Sequence, residues 1–228
     1  MSLFETIQLL LYKENPSILE KVDFEDDSVF LEPLLFAYFN SKKDNFFSIY
    51  LLSEIMQGYY VEKEPLLLNE SFNDEGIAYV PNLGYFDKNG SKIDDILKID
   101  AFEILKTSHP LLEKYFVEFY KGHIVNTNPN HNSVWEENYK ELEQAILIIK
   151  EHLPAFYKEF VLANKRIYLH DNPKILNFAS VETLGMLYFY ILGKNNLIYF
   201  IEEIIHQASH NYLYYVMFNK EDFFKIDS

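Results

Sequence analysis

Two histidines four residues apart stand in the run Glu202-Glu203-Ile204-Ile205-His206-Gln207-Ala208-Ser209-His210-Asn211. On an α-helix, residues i and i+4 share a face with Cβ atoms about 5–6 Å apart, so His206 and His210 can reach one cation. Neutral imidazole suits Fe(II), Zn(II) or Ni(II), and two from one helix supply two adjacent coordination positions. Glu203 precedes His206 by three residues on the same face, as a third metal ligand or as a partner for a ring N–H. Glu202 is a weaker form of the same idea. The competing reading of the histidines is a pair satisfied by hydrogen bonds inside a Tyr-rich core. For the glutamates it is solvation on a helix surface.

Gln207 narrows the chemistry. A zinc peptidase of the His-Glu-x-x-His type needs the residue after the first His to take a proton from metal-bound water. An amide offers hydrogen bonds but no titrating group, so a zinc hydrolase is disfavoured even if a metal binds. Iron oxygenases activate oxygen at open positions of a His-containing site and do not use that base. An oxygenase that takes 2-oxoglutarate must also hold its distal carboxylate. Arg166, the one arginine in the chain, is the candidate by elimination, because guanidinium offers a two-pronged grip. The competing reading of Arg166 is a structural ion pair; Lys194 and Lys220 are substitutes. His109, His123, His131 and His152 have no spacing that singles them out, and His170-Asp171 could contribute a ligand from a strand end.

Composition sets the frame for these residues. The 228-residue chain has 20 Lys plus Arg against 35 Asp plus Glu, a formal net charge of -15. That balance opposes phosphate backbones and anionic membrane surfaces, and points to a partner of basic character. With 49% hydrophobic residues, among them 18 Tyr and 20 Phe, there is ample material for a core. The chain has no Cys, which excludes thiolate-held metals and Fe–S clusters, and haem is not expected either. No secretory or membrane-spanning segment is visible, and a cytoplasmic location is expected.

Apolar residues recur at helical spacing through residues 2–68, over 99–120 with an interruption at His109-Pro110, and from about 134 to 162 with a break at Pro154. Ser133 and Glu136 form a capping-box pattern at the start of that last run. Residues 77–80 and 83–86, with Asn89-Gly90 beyond them, suggest a hairpin or irregular lobe. Strands are expected at 166–169 and 184–192, with a third short one near 175–179, and a last long helix at 197–218. The fold class is therefore α+β and mostly helical, with a helical N-terminal half and a small C-terminal sheet packed on the helix that carries the His pair. Residues 1–132 form the helical region, with the insert near 66–99, and residues 133–228 the α+β region, the two making one integrated domain.

The order of these elements, together with Asn177-Phe178-Ala179-Ser180, then Thr183-Leu184-Gly185-Met186-Leu187-Tyr188, then the His206/His210 helix, resembles the HExxH-motif peptide β-hydroxylase family. That family is found beside ribosomally made peptide natural products. Its pattern is a Phe-Ser-Ser stretch, a Pro-Gly-x-x-Tyr stretch and a His-Glu-x-x-His helix, and the resemblance covers residues 135–218. It implies an iron(II)- and 2-oxoglutarate-dependent oxygenase that hydroxylates a peptide side chain, with His206 and His210 as metal ligands. Gln207 stands where the family has Glu. The alternative is a catalytically degenerate relative that binds a peptide or a partner protein.

Overall fold

The N-terminal helix begins where the sequence supplies a reciprocal cap. Ser2 accepts from the Glu5 backbone N–H at 3.2 Å, and the Glu5 carboxylate accepts from the Ser2 N–H at 2.6 Å. Two otherwise orphaned donors are thereby satisfied. Helix α1 (Leu3–Glu14) then presents Leu3, Ile7 and Leu11 to the interior. It is followed by α2 (Pro16–Leu19), α3 (Pro33–Ser41) and α4 (Ile49–Met56). The computed structural model describes residues 2–41, 48–119, 133–191 and 193–219. His123, His131, Lys220 and the polar loop from residue 127 to 132 lie outside them, as does the side chain of Ser133.

A small antiparallel sheet follows, made of β1 (Ala78–Val80), β2 (Gly84–Phe86) and β3 (Lys92–Asp94). Its second turn is held by Asp87, whose carboxylate accepts from the N–H groups of Asn89 and Ser91, with Gly90 at φ 76°. Then come β4 (Leu97–Ile99), β5 (Phe102–Leu105), α5 (Pro110–Phe119), α6 (Ser133–His152), α7 (Pro154–Ala163), β6 (Arg166–His170), β7 (Phe178–Ala179), β8 (Met186–Tyr190) and α8 (Leu197–Asn219). The larger sheet has the order β4-β5-β6-β8-β7. Its three central strands are parallel and its two edge strands antiparallel. Since β4 and β5 precede residue 132 and the other three follow it, the sheet joins both halves of the chain.

Side-chain alternation assigns the two faces of that sheet. Ile167 and Leu169 of β6, with Leu187 and Phe189 of β8, pack on Leu142, Ile146 and Ile149 of α6, Phe160 of α7, and Phe200 and Ile204 of α8. Tyr168, Met186 and Tyr188 point the other way, into a cluster with Leu11, Leu34, Leu35, Leu51 and Ile55 of the N-terminal helices. Parallel strands are stable only with both faces covered, and here helices cover both. Each fully buried Leu, Ile or Phe contributes roughly 1.5–3 kcal/mol. The architecture is mixed α+β and mostly helical.

One stretch departs from the expectation of helical spacing over 99–120. The part before His109 holds the last residue of β4 and all of β5, and the helix begins at Pro110, where the interruption was expected. Ile99, Phe102 and Leu105 are three residues apart and mimic a helical stripe. Asp100, at φ 51°, turns the chain between them, and all four residues of β5 are buried inside the sheet. A short strand covered on both sides has no alternation to reveal it. No described helix is long and apolar enough to cross a membrane.

Candidate functional site

The rotation of α8 decides which of its side chains are available. Its first turn is capped by Asn196, whose Oδ1 accepts from the Tyr199 N–H at 2.9 Å. Phe200, Ile204 and Ala208 face the sheet. Two amides on the same flank complete the docking. Gln207 Nε2 donates to the Asn177 carbonyl at 3.4 Å, and Asn211 Nδ2 donates to the Met186 carbonyl at 3.0 Å and to Asn164 Oδ1 at 2.7 Å. The Tyr199 hydroxyl lies 2.8 Å from Asn177 Oδ1 and 2.6 Å from the Tyr190 carbonyl. Asn177 thus anchors α8 beside β7.

With those residues turned inward, His206 and His210 are exposed on the outer face, their ring centroids 5.0 Å apart. Neither is part of a hydrogen-bonded Tyr-rich core. Two adjacent imidazoles offer nitrogen donors that suit Fe(II) or Zn(II). Glu203 sits at the boundary of the two faces. Its carboxylate accepts from Gln207 Nε2 at 3.3 Å, and among the described residues no three His, Asp or Glu side chains converge where one cation would be held. The site as placed offers two imidazoles. Gln207 is largely buried and hydrogen-bonded, and it carries no group able to accept a proton from water.

Arg166 lies on the other side of β6, 2% exposed, where it joins four elements. Its guanidinium is 2.7 Å from Glu32 Oε2 and 3.4 Å from Glu103 Oε2, Nε donates to the Tyr79 hydroxyl at 2.6 Å, and a terminal nitrogen donates to the Tyr59 hydroxyl at 3.2 Å. Tyr59 in turn donates to Glu32, and Tyr79 to Glu103. Glu32 Oε1 also accepts from the Leu34 N–H at 3.0 Å, which makes Glu32 the cap of α3. Burial pushes the Glu32 carboxyl up, with Arg166 pulling against it, and burial raises both phenols well above their ordinary value, so they remain donors. Burial works against the charge of Arg166, but Glu32, Tyr59, Tyr79 and Glu103 together outweigh it and the guanidinium stays ionised. Arg166 therefore does not fit the role of a 2-oxoglutarate clamp, because its donors are directed at protein partners. Lys194 lies 3.6 Å from Glu141 on α6.

The remaining histidines divide sharply. His152 is exposed, near Glu151. His109 and His170 are fully buried at the carboxyl ends of β5 and β6. Burial lowers His109 to about 3 and His170 to about 4. Nδ1 of His109 accepts from the Leu111 N–H at 3.2 Å. His170 lies beside the rings of Tyr168 and Tyr190, with the backbone of Leu176 favouring its protonated form. Sequence reasoning did not single out Asn177, Asn211 or Asn164. The signal was present, since Gln207 and Asn211 extend the stripe of Phe200, Ile204 and Ala208 at three- and four-residue steps.

Neither protein-family models nor curated proteins give a match to the chain.

Proposed function

We propose that this protein is an iron(II)- and 2-oxoglutarate-dependent oxygenase that hydroxylates a side chain of a ribosomally made peptide, with His206 and His210 as two of the metal's ligands. The observation that supports this reading is the exposed histidine pair on α8, held outward by the inward ties of Gln207 and Asn211. Bound iron would supply the oxygen-activating centre. The chain's own contribution is to fix the helix so that both imidazoles reach the same position. Glu203 precedes His206 by three residues on that helix, and using it as a ligand requires release from Gln207. The cosubstrate carboxylate requires a cation other than Arg166.

The test is anaerobic reconstitution with Fe(II), followed by addition of 2-oxoglutarate and oxygen and measurement of succinate. Succinate formation that depends on His206 and His210 supports the oxygenase. Intact, folded protein that holds iron but forms no succinate points to the second reading, a catalytically degenerate module that binds a peptide or a partner protein. A specific observation favours that alternative: Glu203 and Arg166, the two candidates named beside the histidines, are both engaged within the protein.

A further inference from the structure

A cleft of about 250 Å³ lies among α2, α4 and the segment from residue 60 to 69, on a part of the molecule that the metal reading does not use. Its floor pairs a carboxylate with an aromatic face. Lys21 Nζ is 2.7 Å from Glu64 Oε2 and 5.1 Å from the centroid of the Tyr60 ring. These are the two components that hold a cationic side chain, charge pairing and the negative face of a π system. The far wall is braced by Gln57, whose amide donates to the Leu67 carbonyl and accepts from the Leu67 N–H, both at 2.7 Å. Leu67 and Tyr50, which also line the cleft, are 68% and 67% exposed and give an aliphatic stem something to lie against.

We propose that this cleft binds a lysine or arginine side chain of a basic polypeptide, and that Lys21 is the internal occupant which that side chain displaces. The Lys21–Glu64 pair is more than a third exposed on both sides, and such pairs are weakly held. An arriving guanidinium can engage both oxygens of Glu64, whereas Lys21 engages one. The net charge of -15 draws basic chains toward the protein but does not choose a place; the Glu64–Tyr60 arrangement does. The site gives the basic partner of the proposed function a point of attachment without depending on the metal, so either can fail alone.

The probe is the blocked peptide acetyl-Gly-Arg-Gly-Arg-Gly-amide, titrated calorimetrically into the full chain with no added metal, with the neutral citrulline analogue as control. The arginine peptide should bind and the citrulline peptide should not. Glu64→Gln should weaken binding roughly tenfold or more, the scale of one lost charge-assisted contact. Lys21→Met should tighten it several-fold, while Lys158→Met on α7, which changes net charge equally, should leave it unaltered. The proposal is overturned if the two lysine variants shift affinity alike, or if Glu64→Gln has no effect, because binding would then be diffuse attraction to an acidic surface. Circular dichroism of each variant separates a lost site from a lost fold.

Discussion

The charges around Arg166 neutralise one another out of water, whereas the imidazoles of His206 and His210 face it. Both groups have residue types suited to catalysis, and both sit on well-defined elements of one architecture. Their surroundings differ. Arg166 ties the start of α3, the residues after α4, the small sheet and β5 to β6 through Glu32, Tyr59, Tyr79 and Glu103. A buried ion pair of this kind mainly specifies which elements meet, because desolvation offsets much of its attraction. The His pair makes no comparable tie and is open to a ligand. In this protein the buried charge network and the exposed imidazoles are on different elements, while α8 itself carries docking residues on one face and the His pair on the other.

The largest expected effect breaks the buried side of the comparison. Arg166→Met removes the buried cation between Glu32 and Glu103, leaving only the partly exposed Lys98 beside Glu103, and should cost about 3–5 kcal/mol in urea unfolding. Adding Glu32→Gln should recover part of that loss. A cost below about 1 kcal/mol would mean that the network does not hold the elements together.

Acid probes the other buried ionisable groups. His109 and His170 have folded values depressed to about 3 and about 4, below the ordinary value near 6.5 that applies to the unfolded chain. The unfolded state therefore binds more protons between those limits, and the stability these residues contribute is present above about pH 6.5 and lost as pH falls. By pH 5 each accounts for about 2 kcal/mol of lost stability. His170→Phe should flatten the pH dependence of the unfolding midpoint; an unchanged slope would show that His170 does not stay neutral in the fold.

Gln207→Glu is a sharper comparison within α8 itself. It restores the residue type of a zinc peptidase but sets a carboxylate against the Asn177 carbonyl and Glu203. The expected result is a loss of about 1–2 kcal/mol and no hydrolase activity. Increased stability would contradict the inward tie. The smallest effect belongs to the exposed face: His206→Ala and His210→Ala should each change stability by less than about 0.5 kcal/mol in the absence of metal.

Long periodic elements were legible from the residues. The break at Pro154 separates α6 from α7, and Leu197–Asn219 is one helix, because many residues repeat one pattern and local chemistry marks the ends. Strand β5 was hidden, since a strand buried on both faces lacks the alternation that separates it from a buried helix segment. The spacing of His206 and His210 was enough to place them on one face, but not to show whether that face pointed inward. That depended on Asn177, Met186 and Asn164, which come to α8 from other elements. The fate of Arg166 was equally hidden, because Glu32 and Tyr79 reach it only through the packing of the N-terminal helices and the small sheet onto β6.

The proposed function makes the outer face of α8 a metal-binding surface independent of the buried network. Anaerobic titration of Fe(II) into the full chain and into the His206→Ala, His210→Ala double variant tests it most directly. The account predicts one Fe(II) bound per wild-type chain and none by the double variant, with both proteins equally stable before metal is added. Equal binding by the two proteins, or no binding by the folded wild type, would contradict it.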